Sequence, residues 1–361
     1  MRLVYNAFAG RFADSPRALY EELVRRGGDH EHVWLADPKH VDAFPEGVQT
    51  AILDSPEGIA ALEACDALIA NTHTEVEWEK KPGAVYLQTW HGTPLKRIHW
   101  DVLWAPEGRL ERLQRDVDRW DLLVSPNAAS TPLLRGAFRY EGEVLETGYP
   151  RNDVLSGPDK DAIRARVRER LGIAEGTRAV LYAPTWRDDV VFAGGDEPLE
   201  LDLDVERMAA ELGDDHCLLL RLHYMLTGRL KAFGSDAIKD VSFYPDISEL
   251  YLAADVLMTD YSSTMFDFAV TAKPELFFVP DLETYRDTTR GFYFDFEPVA
   301  PGPLLADTDG VIAALRDLPA VTAQNADRYA TFRERFAHLE DGHATERVLD
   351  RLLRTQGDRP A

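Results

Sequence analysis

The chain has 361 residues, with 40 Lys and Arg against 63 Asp and Glu, so its formal charge is −23. This balance excludes non-specific binding to nucleic acids, whose affinity comes from cationic contacts to phosphates. The length exceeds the roughly 250–300 residues at which a single core stops growing, so two domains are expected. A hydrophobic content of 45% excludes a disordered chain.

Cysteine usage and targeting patterns indicate a cytoplasmic protein. Only Cys65 and Cys217 occur, which fits a reducing compartment and excludes a disulfide framework or a cysteine-based zinc site. The N-terminus runs from a short strand directly into a helix, without the apolar region of a secretory signal. Peripheral contact with the inner face of a membrane would need a local basic or apolar patch, because anionic lipid repels a chain of this charge.

Short apolar runs alternate with segments of helical period along the chain, which predicts βα units on parallel sheets. The first strand is expected at Arg2–Tyr5. The following helix is expected to have Ser15 as N-cap, Pro16 as first residue, and Leu19, Leu23 and Val24 on its apolar face. Further strands in the first half are expected at Ala67–Ala70, Ala84–Thr89 and Leu122–Val124. His30 and His32 are interpreted as part of a surface turn.

The turn-rich stretch GYPRND, residues 148–153, marks the expected domain boundary, and a helix that stops at Gly172 follows it. A second helix is expected from about Asp246, which has capping-box spacing to Glu249. The final segment, Asn325 to about Arg354, is predicted to be helical. Strands in the second half are expected at Ala179–Ala183, Cys217–Leu222, Val256–Met258 and Leu276–Val279.

These elements predict an α/β protein with two Rossmann-like, doubly wound domains facing a cleft. The expected N-terminal domain is residues 1–150 and the second domain is residues 151–325. A C-terminal helical segment, residues 326–361, is expected to pack back on the first domain. A single large sheet with insertions is the alternative.

Ligands of open parallel sheets bind beyond the carboxyl ends of the strands. In YLQTWHGTPLKR, residues 86–97, a strand ends before His91, a candidate general base with an ordinary pKa near 6.5. Gly92 allows close approach of a ligand, Thr93 follows it, and Pro94 can begin a helix whose free N–H groups face an anion. Lys96 can meet a phosphate. A histidine bonded inside a structural turn is the alternative interpretation.

In MTDYSSTMFDF, residues 258–268, a strand is followed by polar residues and then by an apolar helical run. Hydroxyls and unpaired amides at such a turn favour binding of a diphosphate. Plain N-capping accounts for one hydroxyl but not for three in a row. The candidate binding residues are Asp260, Tyr261, Ser262, Ser263, Thr264 and Asp267.

Two other strand ends carry candidates. Arg221 lies in the apolar run LLLRLHYM, so a ligand phosphate or buried carboxylate is expected as its partner. His223 follows it, and a satisfied core histidine is the alternative there. In LYAPTWRDD, Thr185 and Arg187 follow a strand, and Arg187 can hold a phosphate or make a contact at the domain surface.

Several motifs are absent or weak. The chain has neither a P-loop nor a G-x-G-x-x-G fingerprint, which disfavours a P-loop ATPase and a dinucleotide-dependent dehydrogenase. Asp202 and Asp204 have the D-x-D spacing of some metal-dependent transferases, but a strand edge or a solvated loop is the favoured interpretation. No set of histidines and carboxylates has metal-ligand spacing.

These stretches, in this order, resemble the CDP-glycerol glycerophosphotransferase family, the teichoic-acid primases and polymerases of bacterial walls. The matching segments are LQTWHGTPLKR, TGYPRND, LYAPTWRDD, LEDGHATERV and the long block from DISELYLAADVLMTDYSSTMFDF to DLETYRDTTRGFYFDFE. The resemblance implies a GT-B-like pair of domains, with CDP-glycerol held mainly by the C-terminal one. It also implies transfer of glycerol phosphate to a hydroxyl of a lipid-linked or polymeric acceptor, with release of CMP.

Carried over by motif, the family's catalytic base corresponds to His91 and its second histidine to His223, with Tyr224 where the family often has proline. The diphosphate-binding turn corresponds to residues 260–264. No tightly bound cofactor is implied, and the sequence leaves open a Mg²⁺ requirement, the oligomeric state, and the choice between glycerol and ribitol or another polyol. The alternatives are a GT-B glycosyltransferase that uses a nucleotide sugar and a non-catalytic nucleotide-binding module.

Overall fold

The computed structural model describes residues 1–185, 201–222 and 235–357. The chain divides into two compact units. The first unit is Met1–Ser156 together with the C-terminal residues from Phe336, and the second unit is Gly157–Arg335. Each unit contains one sheet of parallel strands, the arrangement that alternating strands and helices predict.

The first unit contains a seven-stranded sheet with the order β3-β2-β1-β4-β5-β6-β7. Its strands are β1 (Arg2–Asn6), β2 (Glu31–Ala36), β3 (Thr50–Ile52), β4 (Ala67–Ala70), β5 (Val85–Gln88), β6 (Leu122–Ser125) and β7 (Glu143–Glu146). Its α-helices are Asp14–Arg26, Pro56–Ala64, Arg109–Val117, Thr131–Phe138, Asp153–Ser156 and Ala344–Gly357. The strand order reverses between β1 and β4, which is where open sheets of this kind bind ligands.

Both faces of this sheet are covered. Along β1, Leu3 and Tyr5 pack in one hydrophobic cluster, while Val4 between them packs in another. The first cluster includes Leu19 of the helix Asp14–Arg26 and Val348 of the C-terminal helix Ala344–Gly357. Burial on both faces explains why the strands are continuous apolar runs rather than alternating ones.

The second unit contains a six-stranded sheet with the order β10-β9-β8-β11-β12-β13. Its strands are β8 (Arg178–Tyr182), β9 (His216–Leu220), β10 (Ile238–Asp240), β11 (Val256–Thr259), β12 (Glu275–Phe278) and β13 (Leu304–Leu305). The α-helices that begin in this unit are Lys160–Arg170, Val205–Leu212, Ile247–Ala253, Thr264–Phe268, Leu282–Thr284, Phe296–Val299, Thr308–Arg316 and Leu318–Phe336. The strand order reverses between β8 and β11, so the carboxyl ends of these two strands form the corresponding ligand-binding edge.

Three local predictions are wrong. The first helix begins at Asp14 rather than after Ser15, because Ser15 is buried and its Oγ accepts a hydrogen bond from the Arg151 amide. Val24 on that helix is 51% exposed. His32 lies in strand β2 rather than in a surface turn, and its Nδ1 is 2.8 Å from the Tyr5 hydroxyl.

The predicted C-terminal helix is interrupted. The structure has two helices, Leu318–Phe336 and Ala344–Gly357, with a break that contains Gly342 at φ +89°. An L-residue rarely adopts this conformation, so glycine permits the chain to turn there. The second of these helices contributes Val348, Leu349 and Leu352 to the core of the first unit.

Carboxylate side chains cap several helices of the second unit. Asp246 accepts the Ser248 amide at 2.9 Å, which confirms the predicted start of the helix Ile247–Ala253. Asp204 accepts the Arg207 amide at 3.0 Å at the start of the helix Val205–Leu212. The D-x-D pair therefore includes an N-cap, which is a structural role.

Cys65 and Cys217 are both free and buried. Across the described ranges, no helix combines the length and the apolar character that crossing a membrane requires.

Candidate functional site

The carboxyl edge of the first sheet brings together residues from three neighbouring strands. Asn6 ends β1, Asn71 directly follows β4, and His91 comes shortly after β5. The Asn71 amide donates to the Asn6 carbonyl at 3.2 Å, so the hydrogen bonding between β1 and β4 extends to Asn71. His91 therefore lies at the edge where the strand order reverses, in agreement with the expectation from the sequence.

A hydrogen bond to the backbone orients the imidazole of His91. Nδ1 lies 2.5 Å from the carbonyl oxygen of Asn71. Because a carbonyl oxygen can only accept, Nδ1 carries a proton, and in the neutral ring Nε2 has the free lone pair. Burial lowers the pKa of His91 below its ordinary value. The ring is therefore neutral at physiological pH and can accept a proton at Nε2.

Aromatic rings and unusual backbone conformations surround His91. The Trp90 ring is centred 4.1 Å from the imidazole, and the Phe8 ring 5.6 Å from it. Phe8, Asp14 and Trp90 all have positive φ angles, of 46°, 63° and 53°. Such conformations are costly for residues other than glycine and are concentrated at functional sites.

Residues after His91 do not form the expected helix. Gly92 and Thr93 are buried and Lys96 is half-buried, and the next helical turn is a 3₁₀ turn at His99–Asp101. Thr93, Pro94 and Leu95 are buried consecutively, whereas a surface helix buries only one side. The expected helix beginning with Pro94 is therefore wrong.

At the carboxyl edge of the second sheet, Asp260 connects two strands. It follows β11, is buried, and accepts the amide of Thr185, which lies after β8, at 2.8 Å. The Thr259 hydroxyl donates to the Ala183 carbonyl at 2.6 Å. These bonds hold the turn after β11 against the end of β8, at the reversal point of this sheet.

Three consecutive hydroxyl side chains are accessible at this turn. Ser262, Ser263 and Thr264 are half-buried, whereas the residues before and after them are buried. Ser262 Oγ accepts the Thr264 amide at 3.3 Å. Among the residues that the structure describes, no acceptor is found for the Ser262 amide, the Ser263 amide or the Ser263 hydroxyl. The turn thus offers several hydrogen-bond donors to an anion.

Tyr261 and Asp267 flank this turn but are buried. The Tyr261 ring stacks on Tyr285 with centroids 4.5 Å apart, and its hydroxyl donates to Asp281 at 3.1 Å. Asp267 lies in the helix Thr264–Phe268 and is buried as well. Neither side chain is therefore as accessible as the three hydroxyls between them.

Arg221 immediately follows β9. Its Nη1 donates to the carbonyl oxygens of Val241 at 3.1 Å and Tyr244 at 2.8 Å. Backbone carbonyls therefore accept from this guanidinium, a partner that the apolar sequence run did not indicate. The remaining predicted residues, Arg187 and His223, lie outside the described residues.

Sequence reasoning missed a buried ion pair near His91. Arg151 Nη1 lies 3.3 Å from Asp14 Oδ2, and both side chains are almost fully buried. Their separation of more than 130 residues hides the pair from any local pattern, although Arg151 belongs to the GYPRND motif. The part of the chain with described coordinates contains no cluster of three or more His, Cys, Asp or Glu side chains arranged to hold a metal ion.

Two Rossmann-like units, each with a polar turn at the reversal point of its parallel sheet, define a GT-B-like α/β protein. The sequence profile of the CDP-glycerol:poly(glycerophosphate) glycerophosphotransferase family matches residues 1–354. The chain belongs to this family, as its motifs predict, and is an enzyme of the transferase class.

Two curated relatives illustrate the relationship. The teichoic acid poly(glycerol phosphate) polymerase of Bacillus subtilis is 36% identical over 98% of this chain, which spans 49% of that polymerase. The teichoic acid glycerol-phosphate transferase of Staphylococcus aureus is also 36% identical over 98% of this chain, and 92% of that protein is covered. This chain therefore spans about half of the first relative and most of the second.

The solved structure of the wall teichoic acid polymerase TagF superposes with a TM-score of 0.92 at 34% identity. The match covers 99% of this chain and 89% of the TagF chain. A TagF variant soaked with CDPG gives the same TM-score. The fold expected from the sequence is thereby confirmed.

Proposed function

We propose that the protein transfers glycerol phosphate from CDP-glycerol to a hydroxyl of a teichoic-acid-like or lipid-linked acceptor and releases CMP. The observation that carries this proposal is the turn at Ser262–Thr264, with its accessible hydroxyls and with the Ser262 and Ser263 amides, for which the described residues offer no acceptor. A diphosphate presents several oxygens that accept hydrogen bonds, so it suits such a set of donors. Membership of the family supports glycerol as the alcohol.

The reaction breaks one bond and forms one. The acceptor oxygen attacks the phosphorus that bears glycerol, and the bond from this phosphorus to the oxygen bridging it to CMP breaks. CMP leaves with the bridging oxygen and its electron pair. Such a transfer requires in-line positioning and stabilisation of spreading negative charge rather than covalent catalysis.

His91 is the proposed general base. Its Nδ1 proton is engaged by the Asn71 carbonyl, so Nε2 is the nitrogen that can take the proton of the acceptor hydroxyl. The lowered pKa keeps this nitrogen unprotonated at neutral pH. His223 is proposed to protonate or hydrogen-bond the departing phosphate, as the family resemblance implies.

Several cations are proposed to neutralise the diphosphate. Arg221 lies at the carboxyl end of β9, next to β8 in the second sheet, and two carbonyls fix its guanidinium. Arg187 follows Thr185 in sequence. Lys96, Gly92 and Thr93 are proposed to contact the acceptor beside His91.

We also propose that the protein acts at the inner face of the cell membrane, where a lipid-linked acceptor would be presented. Leu103 and Trp104 support this location because they are large apolar side chains with 54% and 79% of their surface exposed. Lys96 and Arg97 precede this loop in sequence. Exposed apolar residues with nearby cations can offset the repulsion that a charge of −23 experiences at anionic lipid.

The test is the nucleotide that the purified protein releases. It is incubated with CDP-glycerol and, separately, with CDP-ribitol, each with a short poly(glycerol phosphate) acceptor, and the nucleotides are separated by chromatography. We expect CMP to form from CDP-glycerol in an acceptor-dependent way. CMP release from CDP-ribitol but not from CDP-glycerol would mean that the transferred polyol is ribitol. Turnover of a nucleotide sugar with release of a nucleoside diphosphate, or binding without turnover, would contradict the proposal.

A further inference from the structure

We propose that the buried Asp14–Arg151 ion pair is a positioning pair for His91, which holds the loop beneath the imidazole and balances the charge around it. This inference deepens the proposed function, because it concerns the proposed base of the same reaction. It also assigns a role to GYPRND, a motif that the chemistry of transfer does not otherwise use.

The pair is well shielded from solvent. Arg151 Nη1 lies 3.3 Å from Asp14 Oδ2 and 3.4 Å from Oδ1, with 6% and 7% of the two side chains exposed. The Arg151 guanidinium also lies over the Tyr149 ring, 4.3 Å from its centroid. Two desolvated charges often contribute little net stability to a fold. The pair therefore serves to position His91 more than to stabilise the fold.

The loop between β1 and the first helix connects the pair to His91. Asp14 begins the helix at the end of this loop, while Phe8 at its start packs its ring against the imidazole. The Phe8 amide donates to Asn71 Oδ1 at 2.9 Å, and Asn71 uses its carbonyl to hold His91 Nδ1. One end of this strained loop therefore packs against the imidazole of His91, and the other end carries the Asp14 carboxylate of the ion pair.

Other contacts fix Arg151 from the opposite side. Asp153 caps the C-terminal helix by accepting the amides of Ala344 at 2.9 Å and Thr345 at 2.7 Å. Glu340 accepts the Tyr149 amide at 3.1 Å. These bonds hold the residues on both sides of Arg151, so the guanidinium is presented to Asp14 from a rigid turn.

Three groups from three packed segments act electrostatically on His91. Asp14 raises its pKa, whereas Arg151 and His73 lower it, and burial lowers it most. Asp14 and Arg151 carry opposite charges, so their effects on the imidazole partly cancel. Removing one charge should therefore shift the titration of His91 in the direction that the remaining charge dictates.

The experiment measures the titration of His91 in the 361-residue chain without substrate. Histidine nitrogens are labelled with ¹⁵N, the His91 resonances are assigned with His91→Gln, and the pKa is determined by NMR in the parent and variants. We expect Asp14→Asn to lower the pKa of His91 and Arg151→Gln to raise it. The double variant Asp14→Asn/Arg151→Gln, which leaves no unpaired buried charge, should return it close to the parental value.

Arg351→Gln is the matched control, because it breaks the surface pair with Glu143 in the same unit. It should leave the pKa of His91 unchanged. Shifts in the same direction for both single variants, or no shift in any folded variant, would overturn the proposal. If a single variant does not fold, the double variant still decides through the Nδ1 resonance. Loss of the Asn71 bond in that folded variant supports positioning, and an Nδ1 resonance identical to that of the parent contradicts it.

The acid limb of the pH profile of kcat/KM provides the second readout. It should move to lower pH in Asp14→Asn and to higher pH in Arg151→Gln, because this limb reports the base of the free enzyme. An inactive parent would refute the proposed function and leave the NMR result on the pair standing. An active parent with unshifted limbs would refute the pair alone.

Discussion

Ser263 is the side chain on which donor binding can be tested most locally. Its hydroxyl is accessible and, within the described residues, has no hydrogen-bond partner. A hydrogen bond to a charged phosphate contributes about 1.5–3 kcal/mol. We therefore expect Ser263→Ala to weaken CDP-glycerol binding by roughly tenfold to a hundredfold, measured by calorimetry, with the melting temperature unchanged.

Thr331→Ala is the control for Ser263, because it removes an exposed hydroxyl that bonds only within its own helix in the same unit. It should leave the dissociation constant as in the parent. Equal affinity of Ser263→Ala and the parent would argue against donor binding at this turn.

Glu275, the first residue of β12, tests the energetics of a buried carboxyl. It is 3% exposed, and its two carboxyl oxygens have no hydrogen-bond partner in the described structure. Burial raises its pKa well above the ordinary value, so the folded protein holds this proton at a pH where the unfolded chain has lost it. The contribution of this group to the free energy of unfolding therefore falls as the pH rises from about 4.5 toward the raised pKa.

Glu275→Gln removes this titration. We expect the variant to gain free energy of unfolding over the parent between pH 5 and pH 8, by on the order of 1–3 kcal/mol, in denaturant titrations. Glu334→Gln, an exposed change in the same unit, should show no such gain. A gain that is independent of pH would mean that Glu275 does not ionise differently in the folded state.

At the scale of elements, the segments TGYPRND and LEDGHATERV of the first unit are hydrogen-bonded to each other. Arg347 donates to the Thr147 carbonyl at 2.6 Å, and Gly148 has a φ of +79°. A Cβ at Gly148 would lie 2.8 Å from the Leu339 carbonyl oxygen. Glycine is thus required both for backbone conformation and for close approach of the segment around Leu339.

We expect Gly148→Ala to destabilise the protein by more than about 1 kcal/mol, because strain and steric conflict add. Gly47→Ala separates the two contributions, since Gly47 has a φ of +83° with no atom within 4 Å of its Cβ position. Thermal unfolding should show a larger loss for Gly148→Ala. Equal losses would show that only the backbone conformation matters.

Apolar runs predicted the strands near the centre of both sheets, except for the six-residue strand β2, and missed the edge strands β3, β7, β10 and β13. Ala67–Ala70 is a strand with the expected bounds, and Val256–Met258 differs by one residue. The strands Thr50–Ile52 and Leu304–Leu305 are too short to produce a periodic pattern. The segment after Pro94 was misread as a helix start, since proline begins helices and irregular turns alike.

The site could be predicted in part for a related reason. His91 and Ser262–Thr264 follow apolar strands directly, so local sequence places them at the carboxyl edges of parallel sheets. Asp14 and Arg151 meet only through the tertiary structure, because 137 residues separate them along the chain. Tyr261 lies in the predicted turn, yet it is buried, because sequence pattern does not show which way a turn residue points.

At the scale of the whole molecule, the charge of −23 opposes an anionic donor and an anionic acceptor. We expect local positive potential from Arg221 and Arg187 to dominate at the donor site. At 0.1 M salt, such attraction is largely screened beyond about 10 Å. The KM for CDP-glycerol should therefore rise as the NaCl concentration increases from about 50 to about 300 mM. A KM that falls with salt would show that the net negative charge prevails.

The most direct test of the central claim, that His91 takes the acceptor proton during transfer, is the rate of CMP release by purified His91→Ala with CDP-glycerol and acceptor. General-base catalysis typically contributes about 10²–10⁴-fold. We predict a loss of turnover of about this size, with donor affinity and melting temperature retained, while His338→Ala, an exposed histidine of the same unit, keeps parental turnover. CMP release by His91→Ala at the parental rate would contradict the account.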